Sequence, residues 1–252
     1  MISYEYPLNE RIRTLLRLEN LYEKVQYFFA KTDGAEHHVA LLTLFEILEV
    51  ASRADLKSDL LQELDRQKHI LEALRNNPAI AEDALEDVLQ SIDQTSANLL
   101  KVAGKVGHHM RENEWLMGIK QRSGIPGGVC EFDLPSYHYW LNLPPENRKQ
   151  DLAEWLQPFL PIYDGLSIVL RLLRDSGKSS HYIAHQGIFQ QMLAGSKLAQ
   201  MLRITLEHDL PCIPEISANK YALNIRFTAP DVDQRPKVCE IDIEFKLTFC
   251  NL

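Results

Sequence analysis

The stretch "KVCEIDIEFKLTF", residues 237–249, decides the fold class of this chain. Between Cys239 and Phe245 every second residue is apolar, and the residues between them are acidic. Successive side chains of a strand point to opposite faces, so this period of two predicts a β-strand with one buried face. The last part of the chain is therefore expected to contribute a sheet.

Other segments near this stretch have strand-like patterns. They are "HYIAHQGIFQQML" (181–193), "AQMLRITLE" (199–207) and "YALNIRFTAP" (221–230). These segments follow one another without intervening helical patterns, which argues against a parallel sheet built from βαβ units. We therefore predict an antiparallel sheet.

Before residue 120 the apolar residues recur at helical spacing instead. Asn9 is the predicted N-cap of a first helix, "LNERIRTLLRLENLYEKVQYFFAK" (8–31). One side of this helix collects apolar residues at the period expected for burial: Ile12, Leu15, Leu18, Tyr22, Val25 and Phe29. Helices followed by strands indicate an α+β protein.

The rest of the helical pattern suggests a layer with one distinctive feature. Residues 56–77 and 80–102 are polar over more than half of their helical surface, and the turn "ALRNNPAIAED" (73–83) separates them. We predict a helical hairpin that projects from the body. Helical patterns also cover 38–54, 107–122 and 146–177.

The segment "RSGIPGGVCEFDLPSYHYWL" (122–141) interrupts the helical pattern. Alternation places Cys130 in phase with Phe132, which predicts a short strand with a buried thiol. The expected organisation is a mostly helical domain, residues 1–125 and 134–178, with a smaller antiparallel β domain, residues 126–133 and 179–252.

Composition restricts the class of function. The 252 residues carry a formal net charge of −8, which argues against a nucleic-acid partner. No run of 18 apolar residues and no signal peptide are present, so membrane insertion and export are not expected. Four cysteines without metal-type spacing suggest reduced thiols in a cytosol.

Few residues suggest catalysis or a bound cofactor. The "GIPGG" loop lacks the Lys-Ser/Thr of a phosphate-binding loop, and no carboxylate set joins the histidine pairs of "EHHV" and "GHHM". We predict no metal, no cofactor and no enzyme activity. The alternative that stays open is a thiol-dependent hydrolase in which Cys130 is the nucleophile and His138 its base.

A basic stripe on the first helix is more informative. At about 100° per residue, Arg13, Arg17 and Lys24 fall within one narrow arc, and Glu10 borders it close enough to pair with Arg13. Such a stripe is either a solvated face with salt bridges or a docking surface for an acidic partner. Further basic residues that would extend the surface are Lys120, Arg122, Lys220 and Arg226.

Four segments together resemble the ZapD family of cell-division proteins. They are "YEYPLNERIRTLLRLE" (4–19), "LLQELDRQKHILEAL" (60–74), "RSGIPGGVCEFDLPSYHYWLNLP" (122–144) and "YALNIRFTAPD" (221–231). The resemblance runs over essentially the whole chain in the same order.

The resemblance implies a cytoplasmic homodimer at the division site, with a helical and a β domain in each protomer. It implies binding to the C-terminal tail of FtsZ, cross-linking and bundling of FtsZ protofilaments, and promotion of division-ring assembly. It also implies a positively charged surface, to which Arg13, Arg17 and Lys24 are suited. The binding candidates carried forward are Arg13, Arg17, Lys24, Arg111, Lys120, Arg122, His138, Lys220 and Arg226.

Overall fold

The structure is a computed structural model that describes residues 1–52, 56–75, 77, 80–102, 104–192, 199–219, 221–230 and 237–251. Two compact units are present: a helical unit, Leu15–Val169, and a β-rich unit, Met1–Thr14 with Leu170–Leu252. The predicted α+β class is confirmed.

The helices are α1 (Glu10–Phe29), α2 (Gly34–Ala51), α3 (Leu56–Glu72), α4 (Glu82–Lys101), α5 (His108–Arg111), α6 (Glu114–Ser123), α7 (Pro135–Leu141), α8 (Pro145–Leu156) and α9 (Leu160–Asp175), with a 3-10 turn at Gln157–Phe159. The strands are β1 (Ile2–Pro7), β2 (Lys178–Ala184), β3 (Ile188–Met192), β4 (Met201–Leu206), β5 (Ile213–Ala218), β6 (Ala222–Thr228) and β7 (Ile243–Cys250).

Local sequence explains where the first helices begin. The Asn9 side chain accepts a hydrogen bond from the Ile12 amide at 2.9 Å, which confirms the predicted N-cap of α1. The Asp33 carboxylate accepts a hydrogen bond from the Ala35 amide at 2.8 Å, and the Glu36 carboxylate accepts one from the Asp33 amide. These bonds form a capping box that begins α2. Helix α2 is buried on most of its circumference and provides the centre of the helical unit.

The predicted helical hairpin is confirmed as the antiparallel pair α3 and α4. Leu60 and Leu64 of α3 are buried, as are Leu89 and Ile92 of α4. Two ion pairs join the outer faces of the helices: Lys68 with Asp93 at 2.6 Å, and Arg75 with Glu86 at 3.0 Å.

The β-rich unit contains two antiparallel sheets. The larger has the order β1-β4-β7-β2 and the smaller β3-β6-β5. Apolar side chains of both sheets form one core, in which Phe245 of β7 and Phe227 of β6 have ring centroids 5.1 Å apart. The antiparallel pairing predicted for the C-terminal segments is therefore present.

The strand predicted from residue 239 begins later than expected. Ile243 is the first residue of β7, and Ile241 is 56% exposed although its period places it with the core residues. The reason is Asp242, whose carboxylate accepts from the Gln186 amide at 2.9 Å and lies 3.1 Å from His185. These contacts join Asp242 to the turn at His185 and Gln186, so the regular strand begins only at Ile243.

Strands β1 and β5 were not predicted. Residues Ile2–Pro7 were expected in the helical domain, but they pair with Met201–Leu206 of β4 and belong to the β-rich unit. β1 is only six residues long and is only partly buried, so its alternation is a weak signal. Its strand partner is distant in sequence and contributes nothing to a local pattern.

The predicted strand at residues 126–133 is wrong. These residues form turns within the helical unit, and Cys130 and Phe132 are both exposed. Local hydrogen bonds replace a ladder: the Cys130 amide donates to the Gly127 carbonyl, and the Asp133 amide to the Cys130 carbonyl. Gly127, with φ +72°, supplies the left-handed residue that this compact path requires.

Candidate partner-binding surface

The three basic residues of the predicted stripe on α1 have different environments. Arg13, in the β-rich unit, pairs with Glu10 at 3.0 Å, as predicted. Arg17, in the helical unit, is exposed and has no hydrogen bond or ion pair with any residue that the structure describes. Lys24 lies 3.5 Å from Glu46 of α2. Arg17 and Lys24 are seven residues apart, so they share one side of the helix about 10 Å apart.

Two further cations meet the exposed side of α2. The Lys120 ammonium lies 2.6 Å from Glu49, and the Arg111 guanidinium donates to the Ser52 hydroxyl at 2.7 Å. The hydrogen bond from Lys120, together with the charges of Lys120 and Arg111, lowers the pKa of Glu49. We call Lys24, Arg111 and Lys120, together with Arg17 on the side of α1 that carries Lys24, the α2 basic surface.

Arg122 and His138 lie beside the loop of residues 124–134. Arg122, near the end of α6, is 3.6 Å from Asp133, and His138 of α7 is 3.7 Å from Glu131. Both side chains are about half exposed, and both distances are long for a direct hydrogen bond. The two contacts link the loop to α6 and to α7. The exposed atoms of Arg122 and His138 remain accessible to solvent.

The remaining two candidates are Lys220 and Arg226. Lys220 lies outside the described residues. Arg226 is an exposed residue of β6 in the β-rich unit, where it faces Glu215 across the β5–β6 ladder. It lines a shallow cavity of about 350 Å³ on the smaller sheet.

Sequence reasoning missed the acidic partners that organise the surface. Glu46 and Glu49 are three residues apart on α2 and both are exposed, so they share the outer side of that helix. Their spacing is visible in the sequence, but the approach of α1, α5 and α6 is tertiary. The pattern therefore identifies the cations without their partners.

The hydrolase alternative gains no catalytic pair from the geometry. Cys130 is exposed, but no hydrogen bond joins its thiol to His138 in the part of the chain that the structure describes. The His138 ring lies instead near Glu131 and the Asn142 amide, at 3.7 and 3.4 Å. Trp140, which follows soon after, is buried and donates to Asp151 at 2.8 Å, a structural contact.

The helical unit has two further features, a cavity and a long apolar helical stretch. The residues that line a cavity of about 640 Å³ include Lys101, Lys105, His108 and Asp164, together with proline and leucine side chains. Among the described residues no cluster of three metal-type ligands occurs. The helical stretch Pro145–Asp175 is long and apolar enough to span a membrane, but half of its most apolar window is buried, as in a core helix.

Comparison with known proteins identifies the family. The family model "ZapD: Cell division protein" matches residues 16–226. Proteins named "Cell division protein ZapD" from Azoarcus sp. (strain BH72) and Dechloromonas aromatica are each 59% identical to this chain over the full length of both proteins. The protein of that name from Nitrosomonas europaea is 56% identical, covering all of this chain and 96% of its own. The chain therefore belongs to the ZapD family of cell division proteins.

Proposed function

We propose that this cell division protein binds the C-terminal tail of FtsZ and, as a homodimer, cross-links FtsZ protofilaments into bundles. Bundling promotes assembly of the division ring in the cytoplasm, at the division site. The protein acts through binding and carries out no chemical step.

The α2 basic surface is the observation that carries the proposal. Its cations include Arg17, which has no partner among the described residues, and Lys24, whose distance of 3.5 Å to Glu46 makes a weak exposed pair. Exposed pairs contribute about 0–1 kcal/mol, so an incoming carboxylate can replace such a partner at little cost. An acidic peptide segment thus matches the surface in charge.

Bivalency explains how weak sites produce bundles. A dimer carries two copies of the surface, and a filament presents many tails at high local concentration. Once one protomer has bound a tail, its partner binds a tail of a neighbouring filament as an effectively intramolecular event. A single site of modest affinity is sufficient for cross-linking under these conditions.

The test is co-sedimentation with polymerised FtsZ, using the wild-type protein and the variant Arg17→Glu/Lys120→Glu. We expect the variant to lose most binding at about 50 mM salt, and the wild type to lose binding as salt rises to about 300 mM. Lys105→Glu, at an exposed position of the same unit outside the surface, is the matched control and should bind normally.

A second arm uses FtsZ that lacks its C-terminal tail. Equal binding to FtsZ with and without the tail would contradict tail docking. Sedimentation equilibrium measures the oligomeric state, and a monomer at the concentrations that cause bundling would contradict cross-linking by a homodimer.

A further inference from the structure

Two carboxylates of this chain already occupy part of the α2 basic surface. Glu46 lies 3.5 Å from the Lys24 ammonium, and Glu49 lies 2.6 Å from the Lys120 ammonium. The two acidic residues are three positions apart on α2, so they are neighbours on the surface of that helix. We call Glu46 and Glu49 the α2 carboxylates. They contact the same ammonium groups to which an acidic partner is proposed to bind.

The other two cations of the surface are not neutralised in this way. Arg111 donates to the uncharged Ser52 hydroxyl, and Ser52 follows Glu49 by three residues at the end of α2. Neither Arg111 nor Arg17 has an ion pair with an acidic residue in the part of the chain that the structure describes. Two cations of the surface are therefore open to an acidic segment, and the protein itself neutralises the other two.

The pairs with the α2 carboxylates are weak enough to exchange with a partner. The side chains of Glu46 and Glu49 are 52% and 57% exposed, and an exposed pair of this kind is formed for roughly half to five-sixths of the time. A partner that needs the free ammonium binds more weakly in proportion, by about two- to sixfold for each pair. Loss of either carboxylate should therefore strengthen binding.

Glu49 remains a charged competitor at neutral pH. The hydrogen bond from Lys120 lowers the pKa of Glu49, and the charges of Lys120 and Arg111 act in the same direction. Mild acid therefore does not remove the negative charge from this pair, because even a glutamate with an ordinary pKa is mostly ionised above about pH 5. Substitution is the way to remove it.

An orienting role for the α2 carboxylates predicts the opposite effect. If their contacts only fixed Lys24 and Lys120 in position, removal of the carboxylates would weaken the binding of a partner. The exposure of both pairs favours competition, because such a pair restricts a flexible lysine side chain little but offsets its charge. The sign of the change in affinity distinguishes the two roles.

We propose that the α2 carboxylates are internal competitors, which hold Lys24 and Lys120 in the free protein and are displaced when the FtsZ tail binds. This inference rests on the proposed function and adds to it the residues that limit the affinity of each site. It identifies two positions at which a conservative substitution increases binding.

The test is fluorescence anisotropy with a labelled FtsZ tail peptide, using Glu46→Gln/Glu49→Gln. Glutamine keeps the size of glutamate and removes its charge. We expect about fivefold tighter binding than by the wild type at about 50 mM salt, and a smaller gain at about 300 mM, where the freed ammonium groups are screened. Asp83→Asn/Asp87→Asn, which removes two negative charges from exposed positions of α4, is the matched control and should bind like the wild type.

A lysine-free background tests displacement directly. In Lys24→Ala/Lys120→Ala, which leaves Arg17 and Arg111 to bind the peptide, the same glutamine substitutions should lose most of their effect. An equal gain in this background would mean that the α2 carboxylates only repel the peptide, and would overturn displacement. Weaker binding by the glutamine variant would make them positioning residues for the lysines, and would also overturn it.

The outcomes separate this inference from the proposed function. Unchanged affinity in the glutamine variant, with normal tail binding by the wild type, overturns the internal competitors and leaves tail binding intact. Absence of peptide binding by the wild type overturns the proposed function, and this inference with it.

Discussion

At the scale of single residues, His37 and Arg148 form the most constrained polar contact of the helical unit. Both side chains are buried. His37 Nε2 lies 2.9 Å from the Lys31 carbonyl, and its Nδ1 accepts from Arg148 Nε at 2.9 Å, so the ring is neutral with its proton on Nε2. The rest of the guanidinium donates to three backbone carbonyls: those of Thr32, Leu141 and Leu143.

This contact predicts that stability falls in mild acid. Burial lowers the pKa of His37, the charge of Arg148 adds to the effect, and the hydrogen bond to the Lys31 carbonyl opposes it. The unfolded chain therefore binds a proton at higher pH than the folded protein does. The contribution of His37 is complete above about pH 6.5 and is lost as pH falls through the lower pKa of the folded state.

Urea denaturation between about pH 8 and pH 5 measures this effect. His37→Asn should be less stable at pH 8 but should lose less stability on acidification than the wild type. The same substitution at exposed His208 should keep the wild-type pH dependence. His38 acts in the same direction, because burial lowers its pKa too. An unchanged pH slope in the His37 variant would contradict the assignment.

Arg148→Met is predicted to be strongly destabilising. Methionine fills part of the space but leaves three carbonyls and His37 Nδ1 without a donor, and each unsatisfied buried group costs about 1–3 kcal/mol. We expect the free energy of unfolding to fall by about 3–5 kcal/mol in urea denaturation. Arg171→Met, at an exposed position of α9, should change it by less than about 0.5 kcal/mol.

Individual residues also show where sequence reasoning reached its limit. The pairing of Arg13 with Glu10 was predictable because it is an i, i+3 contact within one helix. The pairing of Lys120 with Glu49 joins α6 to α2, 71 positions apart in the sequence, and no local pattern contains it. The sequence thus identifies the basic residues of the surface, but it does not predict which acidic residues pair with them.

At the scale of elements, the turn between β2 and β3 connects the two sheets. Gln186 and Gly187 both have positive φ, 48° and 72°, the conformation of a tight hairpin turn. A Cβ at Gly187 would lie 2.5 Å from the Cys239 carbonyl oxygen and 3.1 Å from that of Phe227. Both backbone conformation and space therefore require glycine at this position.

Gly187→Ala should destabilise the protein by about 3 kcal/mol, because strain and a backbone clash add together. Gly127→Ala is the matched control: its φ is +72°, but a Cβ there meets no atom within 4 Å. Only the strain remains, so we expect a cost of about 1 kcal/mol. Equal urea midpoints for the two variants would show that the close approach at Gly187 has no energetic consequence.

The elements that were predicted correctly are those in which the hydrophobic period continues over the whole helix or strand. Helix α1 keeps its apolar face over five turns, and β6 alternates throughout Leu223–Phe227. At residues 126–133 the alternating run is short and follows Pro126 and two glycines. Turn chemistry outweighs a weak alternation there, because glycine permits conformations that leave no ladder partner.

At the scale of the whole molecule, the sequence predicts that helices precede the C-terminal strands, but it does not predict that β1, at the start of the chain, pairs with one of those strands. Residues of β1 pair with β4, and Glu5 accepts hydrogen bonds from Arg174 at 2.9 Å and from Arg203 at 2.9 Å. These partners are 169 and 198 residues distant from Glu5. Such contacts form only when distant parts of the chain come together in the folded protein, and a local sequence pattern contains no information about them.

The proposed cross-linking also depends on the whole molecule, since one dimer must occupy two filaments at once. A mixed dimer, with one wild-type protomer and one Arg17→Glu/Lys120→Glu protomer, retains a single working surface and occupies a tail without bridging. Adding a several-fold excess of the variant under exchange conditions should therefore reduce light scattering by FtsZ bundles below that of the wild type alone. An equal excess of Lys105→Glu, the matched control, should not reduce it. Scattering that stays at the wild-type level after verified subunit exchange would mean that one surface per dimer is enough, and bivalency would then not be the source of bundling.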